Sequence, residues 1–193
     1  MSDKYRLFTA VEIDSSCRKR LESAVRQLKQ TGLFGSHSVK WVEPENMHIT
    51  LNFLGDTDES EILQICRCMD QAAQTTPVFD LGLAGLGQFG RGRVVFADVV
   101  TGGEEFGELS RKLTKKFTAM GFSPPQKQYK GHLTICRAKK NPLKKPALNI
   151  LEGFRNKNFG LFSVFLLNLY SSRLTSAAPV YTLMHSSRLS GAK

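Results

Sequence analysis

Hydrophobic and polar positions first alternate along the chain and then recur at helical spacing. Residues 5–13, Tyr-Arg-Leu-Phe-Thr-Ala-Val-Glu-Ile, are β-rich and partly alternating; Asp14-Ser15-Ser16 then supplies an N-cap. The helix it opens repeats Cys17, Leu21, Val25 and Leu28 on one side and ends at Gly32. Val39–Val42 and Met47–Leu54 read as two short strands about a Glu-Pro-Glu-Asn turn. Asp56-Thr57 is expected to cap a second helix carrying Ile62, Ile65, Cys66 and Met69.

The second half repeats this order. Residues 78–88 form a strand with Gly82, Gly85 and Gly87, and the basic turn Arg91-Gly92-Arg93 leads into a strand over 94–100. Glu104-Glu105 opens a helix through Phe106, Leu109, Leu113 and Phe117 that ends at Gly121. After Pro124-Pro125 a strand is expected over Lys127–Arg137, then a solvated basic loop over Lys139–Pro146. Residues 159–170 and 180–189 are expected to close the fold as strands. The separation from Phe8 to His48 resembles that from Val95 to His132. That similarity predicts one domain over residues 1–193 made of two pseudo-symmetric lobes, each placing a histidine strand after a helix.

Those strands carry the candidate chemistry. In Met47-His48-Ile49-Thr50-Leu51-Asn52-Phe53, strict alternation puts His48, Thr50 and Asn52 on one face and Ile49, Leu51 and Phe53 on the other. Gly131-His132-Leu133-Thr134-Ile135 repeats the arrangement. Two such faces meeting across a cleft suit a cyclic phosphate. One imidazole can take a proton from water while the other protonates the departing ribose oxygen, and a histidine pKa near ~6.5 makes both states accessible near neutrality. The threonine hydroxyls can donate to non-bridging phosphate oxygens, and a guanidinium such as Arg137 would stabilise the charge developing there. Strict alternation, however, turns Arg137 away from His132 unless the strand ends or twists. A single His-x-Thr is most simply an ordinary strand; two, in matching strands of a chain with four histidines, are not. His37 and His185 lack this setting.

Composition narrows the partners. A chain of 193 residues, 41% hydrophobic, suits one globular unit. Lys+Arg 27 against Asp+Glu 17 gives net +10, which favours nucleic acid, a nucleotide or an acidic lipid surface. Cys17, Cys66, Cys68 and Cys136 lack paired metal-type spacing, so reduced thiols and a cytoplasmic location are expected. No apolar stretch approaches the length of a membrane span, and no secretory signal is expected at the N-terminus.

The segment Lys40-Trp41-Val42-Glu43-Pro44-Glu45-Asn46-Met47-His48-Ile49-Thr50-Leu51-Asn52-Phe53-Leu54-Gly55 resembles the signature of the two-histidine (2H) phosphoesterases. Within them it is most similar to the LigT-like RNA 2',3'-cyclic phosphodiesterases, historically called 2'-5' RNA ligases. The likeness extends through Arg6–Val11, Gly87–Phe89, Arg93–Ala97, His132–Arg137 and Leu169–Leu174, nearly the whole chain. It implies an α+β, duplicated two-lobed fold with antiparallel sheets flanking a central basic cleft and helices outside. It also implies hydrolysis of RNA 2',3'-cyclic phosphate ends to 2'-phosphates, with weak reversible 2'-5' ligation in some members. By motif match His48, Thr50, His132 and Thr134 are the catalytic set, with His48 the acid and His132 the base by analogy. Arg137, Phe8 and Arg93 are expected to bind substrate, Phe8 by stacking on a base. Neither metal nor cofactor is expected, and the chain is expected to act as a monomer. The chain departs from common patterns at Lys130-Gly131, where many relatives have a proline before the histidine, at Asn52, where a basic residue is common, and at Ala177-Ala178.

Gly85-Leu86-Gly87-Gln88-Phe89-Gly90 matches a dinucleotide-binding pattern, but a basic turn and a strand follow it where a phosphate-holding helix would be needed, so it reads as a hairpin. Trp41 and Tyr170 are further candidates to stack on a base. The runs Arg111-Lys112, Lys115-Lys116 and Lys139–Lys145 attract RNA only where they line a groove. Two other functions fit the same residues: a nucleotide- or RNA-binding module without turnover, and a phosphodiesterase of small cyclic nucleotides.

Overall fold

The computed structural model describes residues 4–32, 34, 39–123, 130–139, 142–175 and 179–192. The first strand, β1 (Lys4–Glu12), runs into α1 (Ser15–Gln30), whose first turn is closed by the Asp14 carboxylate accepting from Cys17 N at 2.7 Å. Cys17, Leu21, Val25 and Leu28 form its buried stripe, and Gly32 follows at φ 70°. A short β2 (Val39–Trp41) and a 3-10 turn over Pro44–Asn46 precede β3 (His48–Asp58). That strand outlasts the expected Asp56-Thr57 cap. Asp58 instead makes a capping box with Glu61, and α2 (Ile62–Gln74) follows.

The expected hairpin joins β4 (Phe79–Phe89) to β5 (Val94–Thr101) and is followed by α3 (Gly103–Ala119). Next, β6 begins at the histidine itself (His132–Ala138), so Lys130 and Gly131, expected within this strand, precede it; the expected start at Lys127 lies outside the described residues, as do 124–129 as a whole. Part of the expected basic loop is a helix, α4 (Lys145–Glu152). Pro146 sits in its first turn, where a missing N–H is harmless, and Ala147 and Leu151 give it a buried side. The single strand expected over 159–170 is two strands, β7 (Asn158–Val164) and β8 (Leu166–Leu174), broken at Phe165 and paired to different neighbours; β9 (Pro179–Arg188) ends the sheet.

The nine strands of the described residues join one curled antiparallel sheet in the order β7-β4-β5-β6-β3-β1-β8-β9, with β2 paired to β6. Setting β2 aside, four strands of that order lie on each side of the β6–β3 contact. Apolar residues of one face, including Leu7, Val11, Ile49, Leu83 and Leu133, share a core with Leu21, Leu28, Met69, Leu109 and Leu113 of the helices. The opposite face carries the site. Among the described residues no helix is long and apolar enough to cross a membrane.

Candidate active site

The two His-x-Thr segments meet where the halves of the sheet join. The paired residues are the middle ones, Ile49 opposite Leu133, both fully buried. Carrying that antiparallel register one residue either way places His48 beside Thr134 and Thr50 beside His132. Because directly opposed residues share a face, the two apolar residues enter the core and all four polar ones turn the other way. The imidazoles are close enough to interact: after burial, the charges of Arg137 and His132 lower the pKa of His48.

Each motif is followed by one extra residue. Opposite Thr9–Ala10 the register passes from Asn52 to Thr50, leaving Leu51 as a bulge. Opposite Val95–Phe96 it passes from Cys136 to Thr134, leaving Ile135 as a bulge at the equivalent place. Both bulges reverse the pleat beyond them. In β6 this buries Ile135 and Cys136 in succession and turns Arg137 back to the face of His132, where its positive charge lowers the pKa of both histidines. In β3 it corrects the alternation expected above. Asn52 lies on the helix side, 8% exposed, donating from Nδ2 to Thr114 Oγ1 at 2.7 Å, while Ser110 of α3 donates to the carbonyl of Leu51 at 3.2 Å. Phe53, expected inside, is 67% exposed on the site face, 6.2 Å from the ring of Phe8.

The histidines are held alike. His48 Nδ1 lies 2.7 Å from the carbonyl of Asn46, and His132 Nδ1 lies 2.9 Å from that of Lys130. A carbonyl can only accept, so both rings carry their proton on Nδ1 when neutral, with the lone pair on Nε2. Thr50 Oγ1 is 3.2 Å from His48 Nε2 and donates to it in that state. Gly131 lets the start of β6 approach α3, since a Cβ there would sit 3.1 Å from the ring of Phe106. Burial is the largest influence on both histidines and lowers both pKa values.

Aromatic rings pack each imidazole. His48 contacts Phe8 at 4.9 Å and Tyr181 at 5.4 Å between centroids, and His132 contacts Phe89 at 5.0 Å and Phe96 at 5.4 Å. Phe8, expected to stack on a base, is only 3% exposed, covered by His48, Tyr170 and Tyr181, so in this arrangement it is the support of the His48 ring. Tyr170 also donates to the carboxylate of Glu12, and burial followed by that carboxylate raises its pKa.

Arg93 is exposed in the β4–β5 turn and meets β6 through its backbone, its carbonyl accepting from Ala138 N at 2.8 Å. Trp41 packs against Phe34 and under Lys29. Lys112 and Lys116 reach α2, donating to Thr75 O and Gln71 Oε1, so this basic run braces two helices. His185 pairs with Asp70 at 2.8 Å, and Ser187 donates to the same oxygen, pinning α2 to β9. His37 and Ala177-Ala178 lie outside the described residues. Among the described residues no group of three or more His, Cys, Asp or Glu could hold a metal ion. Sequence reasoning missed Phe53, Tyr181, Glu12 and Asp98; for Phe53 a bulge after the threonine is invisible to alternation, and the others reach the site only through strand pairing.

A family model described as LigT like Phosphoesterase matches residues 11–96. The chain is 33% identical over 189 residues to an RNA 2',3'-cyclic phosphodiesterase of Methanothermobacter thermautotrophicus, covering 96% of this chain and 100% of that protein. It is 35% identical over 183 residues to the Archaeoglobus fulgidus protein of the same name, covering 91% and 96%. Among solved structures, a Thermus thermophilus protein matches at TM-score 0.80 and 27% identity over 97% of this chain and 100% of that one. Escherichia coli LigT complexed with 3'-AMP matches at TM-score 0.76 and 20% identity over 97% and 99%, a likeness of fold.

Proposed function

Since the chain belongs to the LigT-like phosphoesterases, we propose that it hydrolyses 2',3'-cyclic phosphate ends of RNA to 2'-phosphates with His48 and His132 as acid and base. One observation carries the catalytic assignment: the Ile49–Leu133 pairing, which turns both histidines and both threonines to one face of the sheet. A phosphate between the rings would have an Nε2 on either side. His132 takes a proton from water as its oxygen bonds to phosphorus; the P–O3' bond breaks, and His48 gives its proton to O3'. The phosphate stays on O2'. Thr50 and Thr134 are assigned to the non-bridging oxygens and Arg137 to the charge that grows on them. A 5'-hydroxyl in place of water would give weak 2'-5' joining by the same steps.

Phe53 supplies the open aromatic face for the terminal base. Net +10 supports an RNA strand as substrate over a lone nucleotide. The two-lobed single domain, the monomeric state and a cytoplasmic location belong to the same proposal; the strand order, four on each side of the β6–β3 contact, supports the first. The test is incubation with EDTA and a short RNA ending in a 2',3'-cyclic phosphate, with identification of the product end. A 2'-phosphate is expected. A 3'-phosphate, or binding without turnover, would refute the proposal, the latter in favour of a binding module.

A further inference from the structure

Each histidine has a carboxylate directly across the strand ladder: Glu12 opposite His48, and Asp98 opposite His132. The two carboxylates are partnered differently. Glu12 accepts from the neutral phenol of Tyr170, which leaves its negative charge in place. Asp98 is bound through Oδ2 by the ammonium of Lys130 at 2.7 Å, which cancels that charge; its Oδ1 is buried with no partner among the described residues. Lys130 is also the residue whose carbonyl holds His132 Nδ1. The side chain and backbone of one residue thus act on the same imidazole. At His48 the carbonyl comes from Asn46, a neutral residue whose own amide donates to Pro179 O at 3.3 Å.

Resting on the function proposed above, we infer that Lys130 is the positioning residue of His132. Its carbonyl fixes the tautomer, and its ammonium quenches Asp98, so the proton of the histidine pair resides on His48, beside the unquenched Glu12. The groups that face the two rings are the following. His132 faces Asp98 from β5, Lys130 from its own approach and Arg137 from its own strand; burial, Arg137 and Lys130 lower its pKa, against the carbonyl of Lys130 and Asp98. His48 faces Glu12 from β1, Arg137 from β6 and His132; burial, Arg137 and His132 lower its pKa, against the carbonyl of Asn46 and Glu12. Burial and Arg137 act on both rings. At the carboxylates the sites differ, since one has an adjacent cation and the other does not, and this difference acts against the lowering of His48 by the charge of His132. An ordered pair of this sort lets acid and base be present in the same molecule before substrate arrives.

The experiment is an NMR titration of both imidazoles in the full-length protein, assigned with His48→Gln and His132→Gln, for wild type, Lys130→Met, Lys130→Arg and Glu12→Gln. Lys130 is 64% exposed, so its replacement leaves the core untouched. Expected are His48 titrating above His132 in wild type, a rise of His132 in Lys130→Met, a wild-type value in Lys130→Arg, and a fall of His48 in Glu12→Gln. The acid limb of kcat/KM on cyclic-ended RNA should move to higher pH in Lys130→Met and return in Lys130→Arg. His132 unmoved by Lys130→Met, or protonated before His48 in wild type, would overturn the inference. Loss of turnover on all cyclic ends in wild type would remove the functional reading, while the titration order would still judge the role of Lys130.

Discussion

Replacing Asn52 by alanine separates the bulged strand from a regular one. With the bulge at Leu51, Asn52 points to α3, and alanine removes its bond to Thr114 at 2.7 Å and a longer contact of 3.5 Å from Thr9. Thr114 keeps its own donation to Ser110 O at 2.8 Å, while the buried Thr9 hydroxyl loses only the long contact. The loss is then one good neutral hydrogen bond plus a small void, about 1–3 kcal/mol. For a domain of this size that corresponds to a Tm lower by roughly 2–10 °C. Because the amide does not face substrate, KM for cyclic-ended RNA should be unchanged at a temperature where both proteins are folded. Thermal denaturation by circular dichroism together with steady-state kinetics reads both quantities. An unchanged Tm with a raised KM would mean that Asn52 shares the face of His48 and Thr50, as regular alternation requires, and would refute the bulge.

Phe53→Ala should weaken RNA binding by about 1–3 kcal/mol, read as a higher KM with little change in Tm, since the ring is mostly exposed. Arg137→Lys should lower kcat on the same substrate despite keeping the charge, because a point charge cannot reproduce a two-pronged contact with phosphate oxygens; kcat equal to wild type would remove Arg137 from the transition state. Asp70→Ala should destabilise the α2–β9 junction without affecting turnover. Hydrogen bonds from Ser187 and His185 outweigh burial and lower the Asp70 pKa on folding. Its contribution is therefore complete above the unfolded value near ~3.9 and is lost as pH falls through the folded one, so urea midpoints of wild type and variant should converge only in acid. The two lowered histidines have the same sign. Stability should fall as pH drops from about 6.5 toward their folded values, and His48→Gln should flatten that slope.

The alternating and helical patterns were enough to locate the α1 stripe, its Asp14 cap, the β4–β5 hairpin and both histidine strands, because each is decided by neighbours a few residues away. What they could not supply depends on contacts between distant segments. The bulges exist because α3 captures the Leu51 carbonyl and because β5 skips Ile135, and neither partner is near in sequence. Phe53 and Arg137 exchange faces for that reason, each the third residue after its threonine. Phe8 looks like a free aromatic until β8 and β9 lay Tyr170 and Tyr181 over it. The helix over Lys145–Glu152 was masked by lysines and a proline that also suit a loop, and its two buried residues are too few to show a period.

The most direct test of two histidines acting on one phosphate is a double-mutant cycle on kcat/KM for cyclic-ended RNA, with His48→Ala, His132→Ala and the double variant, each checked for native circular dichroism. Acid and base serving one displacement should each be worth roughly 10²–10⁴-fold, and the double variant should be little worse than the poorer single one. Either single variant retaining activity close to wild type, or losses that multiply in the double variant, would contradict the account.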